Sequence, residues 1–340
     1  MTNFRDPRAD VAAALLAMLA AGFAAPVVAQ SVVTAEVQGL NQAAFDPNAA
    51  AGGAAARDMI IRAEVLLDRA GFSPGVIDGR PGGNLKGAIG AYQAAHGLAV
   101  DGQLSEGVWD ALTRADPRPV AVAYVVTAGE VKGPFIGSVP AKMEDMAKLD
   151  HLGFTSPAQS LAETFHMDVA LLTALNPGVD LGVVGATLAV AAPDAGAATP
   201  TAARVEVDKS TGQVRVLDDG GRVVAVFPAT VGSTSRPAPS GTWAVRDIAH
   251  DPAYTFDPAR LTFGLSKHKL TIHSGPNNPV GSTWIGLTKD TYGIHGSPDP
   301  SLVGKTASHG CVRLTNWDAR RLAAMVRKGT PVSFVGQAAR

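Results

Sequence analysis

The apolar positions of residues 57–114 recur with the period of an α-helix. Ile60, Ala63 and Leu67 fall on one face of a first helix. Asn84 is the predicted N-cap of a second helix and Ser105 that of a short third one, because their side-chain oxygens accept from the first backbone amides of a helix. The segment therefore predicts a small three-helix domain.

Residues 121–190 predict a strand, two short helices and a second strand. The apolar runs 124–126 and 187–190 indicate the two strands. Ser156 followed by proline is typical of a helix N-terminus, and Asp168 is a good cap for a second helix. The order of these elements predicts a small βααβ module.

The period changes to two in residues 203–336, where valines alternate with polar residues from Val205 to Val216. Turn sequences at 209–212 and 218–221 separate these runs and predict hairpins. Further strands are expected near 241–245, 284–287 and 293–295, followed by one helix through Val326 that Thr315 and Asp318 open. The expected fold class is multidomain α+β, with a mostly β, sandwich-like domain and one helix packed on it, followed by a last strand over Pro331–Val335.

The N-terminus has the layout of a secretory signal peptide over residues 1–29. Arg5 and Arg8 precede a nearly continuous apolar stretch, 11–28, and small residues offer a cleavage site after Ala29. The stretch is also just long enough for an uncleaved membrane anchor, although its small-residue end favours cleavage. We expect a periplasmic protein in which residues 30–56, rich in Ala, Gly, Asn and Gln, form a flexible tether. Stretches 115–120 and 191–202 are predicted linkers.

Composition removes some classes of function. The net charge is −1, which gives no reason to expect nucleic acid as a partner. The histidines outside 292–313 are scattered without metal-ligand spacing, so no metal and no cofactor are expected. The chain has one cysteine, Cys311, and a single thiol cannot form an internal disulfide.

The residues around Cys311 favour a nucleophile over an inert buried thiol. The run 307–314 reads Ala-Ser-His-Gly-Cys-Val-Arg-Leu, and His295 stands upstream in Tyr-Gly-Ile-His-Gly at 292–296. A thiolate attacks carbonyls well, an imidazole can take the thiol proton, and nearby positive charge lowers the thiol pKa. The sequence therefore predicts covalent cysteine catalysis.

These motifs resemble the L,D-transpeptidase (YkuD-type) catalytic domain. The likeness covers 203–336 in order and spacing and includes Gly-Pro-Asn-Asn-Pro-Val-Gly at 275–281. The first segment, 57–114, is similar to the small helical peptidoglycan-binding domain. The module at 121–190 looks like a LysM carbohydrate-binding module with a large insertion at 131–155, so a spacer without glycan binding stays an equal alternative.

The resemblance implies a reaction on peptidoglycan. Cys311 would attack the carbonyl before the terminal D-Ala of a tetrapeptide stem, and His295 would act as base and then protonate the departing amine. An amine of another stem, or an envelope protein lysine, would resolve the thioester. Two alternatives remain: a cysteine peptidoglycan hydrolase (L,D-carboxypeptidase or amidase) that passes the acyl group to water, and a non-catalytic wall-binding protein.

Supporting roles are predicted for the neighbours of this pair. Backbone amides of Gly310 and Cys311 are candidate oxyanion donors, and Arg313 is expected to bind a substrate carboxylate or else to pair with an acid such as Asp318. The resemblance implies that the carbonyl of Gly296 orients His295. The remaining members of the predicted site are Ser308 and His309 as motif support, and Tyr292 and Trp284 either as substrate contacts or as core or rim residues.

Overall fold

The structure is a computed structural model that describes residues 31–193, 200–232, 237–259, 268–306 and 310–337. The predicted signal peptide lies outside these ranges. Within them, no helix combines the length and the apolar character needed to cross a membrane. The first described element is a helix that runs to residue 42 (α1, residues 31–42).

Helix α1 corrects the expectation of a flexible tether. Val33, Val37 and Leu40 recur at helical spacing, and both Val33 and Leu40 are buried against the neighbouring helices. The Asn41 side chain accepts from the Val120 amide at 2.7 Å and donates to the Ala121 carbonyl at 2.9 Å. The tether prediction is therefore wrong for 31–42, because apolar contacts and a long-range amide bracket hold this segment on the body of the protein.

The three predicted helices of residues 57–114 are present, and one of their predicted caps is wrong. Ser105 accepts from the Val108 amide at the start of the third helix, as expected. Gly82, however, is the N-cap of the second helix, and Asn84 instead donates to the carbonyl of Val303 at 2.9 Å. The helices are α2 (Ala54–Arg69), α3 (Gly83–Ala95) and α4 (Glu106–Ala115).

The βααβ order is also present, with one extra helical turn before the insertion and one inside it. Ser156 accepts from the Gln159 amide, and Asp168 accepts from the Ala170 amide, so both predicted caps form. The two strands pair antiparallel. The elements are β1 (Ala121–Val125), α5 (Ala128–Val131), α6 (Met143–Met146), α7 (Pro157–Thr164), α8 (Val169–Leu175) and β2 (Thr187–Ala191).

The helical domain and the βααβ module share one hydrophobic core. Ile61 and Tyr92 of the first belong to the same buried cluster as Leu161 and Leu188 of the second. Small modules bury a limited fraction of their surface alone, so fusing two cores stabilises both. The break at 115–120 is fixed rather than loose, because the guanidinium of Arg69 donates to the carbonyls of Pro119 and Ala192.

The C-terminal domain is built on one nine-stranded sheet, in the order β5-β4-β3-β13-β7-β10-β11-β12-β6. The alternating valines form the predicted hairpins at one end of this sheet. The long strand β7 joins that half to the half that carries the histidine and cysteine motifs. The strands are β3 (Arg204–Asp208), β4 (Gln213–Leu217), β5 (Val223–Pro228), β6 (Thr230–Val231), β7 (Gly241–His250), β10 (Thr283–Leu287), β11 (Gly293–His295), β12 (Val312–Arg313) and β13 (Pro331–Val335).

Three smaller elements complete this domain. A separate hairpin pairs β8 (Tyr254–Phe256) with β9 (Leu270–Ile272). A 3₁₀ turn spans Pro300–Leu302. The predicted helix is α9 (Asn316–Met325), which begins at the Thr315 cap and packs into the core beneath the sheet.

The helical domain also pairs with the edge of the nine-stranded sheet. The Ser73 amide donates to Val226 of β5 at 2.9 Å, and the Val226 amide donates to Gly71 at 2.8 Å. An unpaired edge strand is a template for unwanted association, and this short parallel bridge covers it. The N-terminal elements are thus continuous with the sheet of the C-terminal domain.

A polar cluster with three buried side chains, those of Asp68, Ser73 and Asp318, joins the three parts of the chain. We call it the junction cluster (Asp68, Ser73, His166, Asp318 and Arg321). His166 Nδ1 lies 2.8 Å from Asp68 Oδ2, and the Arg321 guanidinium donates to the Asp68 carbonyl at 2.7 Å. Ser73 Oγ donates to Asp318 Oδ2 at 3.0 Å. Asp318 was one expected partner of Arg313, and this alternative is wrong because the carboxyl is buried in the junction cluster.

Candidate active site

The tertiary structure brings Cys311 and His295 to one face of the sheet. Cys311 precedes β12 directly, and His295 is the last residue of β11. The two strands are parallel neighbours with His295 opposite Arg313. Since side chains alternate along a strand, Cys311 and Arg313 lie on the face that also carries His295. The thiol, directly before β12, and the imidazole, at the end of β11, therefore lie on one face of the sheet.

His295 is fixed in a buried position, with 4% of its surface exposed. Its Nδ1 lies 2.7 Å from the carbonyl oxygen of Gly296, so Nδ1 carries the proton and Nε2 the lone pair. The resemblance implied this bond, and the structure contains it. Burial lowers the pKa of His295 to about 4, with the charge of Arg313 acting in the same direction. The imidazole is therefore neutral at neutral pH.

Cys311 is partly accessible, and its thiol donates to the carbonyl oxygen of Thr291 at 3.7 Å. Burial of the sulfur raises the pKa of the thiol, while the Gly293 amide and the Arg313 charge partly offset that rise. Thr291 has a φ of +66°, which is rare for a β-branched residue. The backbone is thus strained at Thr291, the residue whose carbonyl oxygen accepts from the Cys311 thiol.

Trp284 forms the floor beside the imidazole. Its ring stacks on the His295 ring with centroids 5.5 Å apart and planes at 23°. The indole also lies over Gly293, where a Cβ would stand 2.5 Å from Trp284 Cζ2. Glycine at 293 therefore leaves room for the indole, and Trp284 packs against both Gly293 and His295.

Gly310 and Tyr292 form the side of the site next to the sulfur. Gly310 has a φ of +113°, a region that favours glycine, and a Cβ there would lie 3.2 Å from the Tyr292 ring.

Two predicted site residues, Ser308 and His309, lie outside the described residues. Across the described ranges, no group of three or more His, Cys, Asp or Glu side chains is placed to hold a metal ion.

Two residues of the site escaped the sequence analysis. Tyr254 of the β8–β9 hairpin lies near enough to Cys311 and Arg313 for both charges to act on its phenol, and burial, followed by Cys311, raises the pKa of Tyr254 to about 12. Asn316 follows the Thr315 cap and is 1% exposed against Gly296. No periodicity or spacing marks either residue, because both reach the site through contacts distant in sequence.

Comparison with known families agrees with the geometry. Residues 202–333 match the L,D-transpeptidase catalytic domain of the YkuD family, and residues 57–112 match a peptidoglycan binding domain. These bounds lie close to the expected segments 203–336 and 57–114. The middle module matches neither family.

Individual relatives are similar over the C-terminal part. A protein assigned as L,D-transpeptidase YkuD of Bacillus licheniformis is 29% identical over 176 residues, which is 52% of this chain and 92% of the relative. One assigned as L,D-transpeptidase YqjB of Bacillus subtilis is 34% identical over 134 residues, 38% of this chain and 68% of the relative. A solved L,D-transpeptidase from Mycobacterium smegmatis is 25% identical with a TM-score of 0.32, covering 39% of this chain and 58% of that one. Since its C-terminal domain matches the family model and the YqjB relative is 34% identical over 68% of its own length, the chain belongs to the L,D-transpeptidase family.

Proposed function

We propose that this protein is an exported L,D-transpeptidase that acts on tetrapeptide stems of peptidoglycan through a thioester on Cys311. The observation that supports it most is the shared face of Cys311 and His295, with His295 Nδ1 bonded to the Gly296 carbonyl at 2.7 Å. That bond leaves Nε2 as the proton acceptor, which is the form a general base requires.

In the first half-reaction the Cys311 sulfur bonds to the carbonyl carbon that precedes the terminal D-Ala. The thiol and the imidazole are both neutral at neutral pH, so the thiol proton passes to His295 Nε2 as the S–C bond forms. The backbone amides of Gly310 and Cys311 are the proposed donors to the oxyanion. The imidazolium then protonates the amine of D-Ala as the C–N bond breaks.

In the second half-reaction an amine attacks the thioester carbonyl. His295 accepts the amine proton, the new amide forms, and the sulfur leaves and regains a proton. The acceptor is an amine of a second stem or a lysine of an envelope protein. Arg313, next to His295 on the neighbouring strand, is the proposed partner for a substrate carboxylate.

The N-terminal parts would hold the enzyme on its polymeric substrate. The family match of residues 57–112 supports a peptidoglycan-binding role for the helical domain. We extend this proposal to glycan binding by the βααβ module at 121–190. Export by the segment 1–29 would deliver the protein to the periplasm, where the substrate is made into wall.

The test is incubation of purified protein with tetrapeptide-bearing wall fragments, followed by mass spectrometry of the products. Transfer yields cross-linked stems and free D-Ala. Shortened stems without cross-links would indicate a hydrolase, and unchanged fragments would indicate binding alone, so either result contradicts the proposal. Adding a lysine-containing peptide tests the second acceptor class, and Cys311→Ala is the matched control.

A further inference from the structure

We propose that Asn316 and Glu163 are positioning residues for His295, so that the βααβ module supplies part of the support of the catalytic base. This inference rests on the proposed function of His295. It concerns a chain of contacts that begins on α7 of the module and ends at the Gly296 carbonyl. The catalytic domain alone lacks the first link of that chain.

Asn316 fills the space between two loops of the catalytic domain. Its Oδ1 accepts from the Ser282 amide at 3.1 Å, and its Nδ2 donates to the Pro276 carbonyl at 3.1 Å and to Glu163 Oε2 at 2.9 Å. These partners fix the amide orientation, because the first is a donor and the other two are acceptors. The side chain is therefore held by every polar atom it has.

The same side chain sets the place of Gly296. A Cβ on Gly296 would lie 2.2 Å from Asn316 Oδ1, and one on Gly281 would lie 2.1 Å from the same atom. Asn316 thus packs directly on the backbone of both glycines. Because the Gly296 carbonyl accepts the His295 Nδ1 proton, the position of this peptide decides which nitrogen of the base carries the lone pair.

Glu163 is the module's contribution. It belongs to α7, is 9% exposed and accepts from Asn316 through one oxygen and from the Arg320 guanidinium, at 3.2 Å, through the other. Without the carboxylate, one N–H of the buried Asn316 amide would lose its acceptor, which costs more than a normal hydrogen bond contributes. The amide would then be released to turn, and Gly296 would lose its fixed contact.

A second contact from the module holds the same loop. Asn277 donates to the Gly153 carbonyl at 2.6 Å and exchanges hydrogen bonds with the Gln159 amide. The insertion at 131–155 and the start of α7 therefore hold residues 275–282 through contacts separate from those of Asn316. The module is attached to the loop that faces the base, and this attachment gives it a role apart from any glycan binding.

The experiment compares variants of the full-length protein carrying ¹⁵N-labelled histidine. Asn316→Ala removes the central link, Glu163→Met removes the carboxylate and keeps the side-chain length, and Glu163→Gln keeps an acceptor for Asn316. Arg321→Ala is the matched control, because it weakens the contact of α9 with Asp68 in the same interface without touching Asn316. Each variant is measured by NMR for the His295 tautomer and by mass spectrometry for the acylation of Cys311 by a carbapenem.

We expect Asn316→Ala and Glu163→Met to give mixed His295 tautomers and to slow the acylation step by about 10- to 100-fold, with little change in the carbapenem concentration at half-saturation. Glu163→Gln and Arg321→Ala should stay close to the parent in both measurements. A merely structural role would lower thermal stability and leave the tautomer unchanged.

The inference is overturned if the folded Asn316→Ala or Glu163→Met protein keeps the parent tautomer and acylation rate, or if Arg321→Ala shifts both as much. Should Asn316→Ala not fold, the two Glu163 variants carry the test. Failure of the parent itself to be acylated would contradict the proposed function, whereas the tautomer comparison would still decide this inference.

Discussion

The active-site pair and the junction cluster each contain a buried titratable side chain, His295 in the first and Asp318 in the second. Burial shifts the pKa values of these two side chains in opposite directions. His295 is neutral above about pH 4 because burial lowers its pKa to about 4, whereas Asp318 is neutral only below about pH 7, because burial and the nearby Asp68 raise its pKa to about 7. The pair lies on the face of a sheet with the thiol partly accessible, and the junction cluster is enclosed between three parts of the chain. Burial thus prepares His295 for the proposed reaction, whereas the buried Asp318 helps to hold the three parts of the chain together.

The difference lies in what each neutral group can still do. Neutral His295 presents a lone pair at Nε2, so neutrality makes it a base. Neutral Asp318 has one oxygen bonded to Ser73 and another, Oδ1, without a hydrogen-bond partner among the described residues. Its proton relieves repulsion with Asp68 and catalyses nothing. A shifted pKa therefore marks a functional group only when a reactant can reach it.

The largest effect should come from Cys311→Ala. Removing the thiol abolishes the covalent adduct with a carbapenem, because the sequence has no second cysteine. The fold should be unchanged, since the side chain is partly accessible. Intact-mass spectrometry and thermal melting check both statements, and an adduct on the variant would show that the nucleophile was chosen wrongly.

His295→Ala should slow acylation by about 10² to 10⁴-fold, the usual contribution of a general base. The reason is that the raised pKa of Cys311 leaves little thiolate at neutral pH without a proton acceptor. Stopped-flow or timed mass spectrometry measures the rate. A rate near that of the parent would mean that the thiol ionises without His295.

The acylation rate should fall by about tenfold for each pH unit below about pH 4, where His295 becomes protonated. Above that value and up to neutrality the base is already neutral, so the rate should not show an acid limb near pH 6.5. A pH series of carbapenem acylation checks this. Variants of the junction cluster should leave the profile in place, and a midpoint near 6.5 would contradict the buried environment of His295.

Asp318→Asn should remove a pH dependence of stability. The folded protein holds the Asp318 proton up to about pH 7 whereas the unfolded chain releases it near 3.8, so this group's stabilising contribution falls as pH rises between those values. As the pH rises across that window, the free energy of unfolding of the variant should increase relative to that of the parent, by at most about 4 kcal/mol. Chemical denaturation at pH 4 and 8 measures it, and a constant difference between the two proteins would refute the shift. The contribution of His295 to the free energy of unfolding changes in the opposite direction and rises with pH between about pH 4 and 6.5, because its pKa is lowered in the folded protein.

Trp284→Phe should have the smallest effect. The smaller ring keeps an apolar floor beneath His295 but loses part of the stacked contact, which is worth about 0.5–1.5 kcal/mol. Acylation should slow less than in His295→Ala. Chemical denaturation and the acylation assay check these outcomes, and a loss as large as that of His295→Ala would assign the indole a direct role.

Local sequence patterns predicted the elements that depend on near neighbours. The valines alternating from Val205 to Val216 form the expected hairpins, and the caps Ser105, Ser156 and Asp168 all accept the expected amides. Such signals act within a few residues, so tertiary context did not override them. The cap prediction for Asn84 was wrong, because its side-chain amide donates to the carbonyl of Val303, more than two hundred residues away. The tether prediction for residues 31–42 was wrong because their few apolar side chains pack into a core formed by later segments of the chain.

By itself, the sequence supplied the groups for the proposed chemistry: one thiol, the histidine proposed as its base, and the glycines beside them. Only the tertiary structure decided how that chemistry is held. It placed Asp318 away from Arg313, covered His295 with Trp284, and connected Glu163 to Gly296 through Asn316. Reactivity depends on residue type and short motifs, whereas pKa values and side-chain support arise from burial and contacts between residues far apart in the chain.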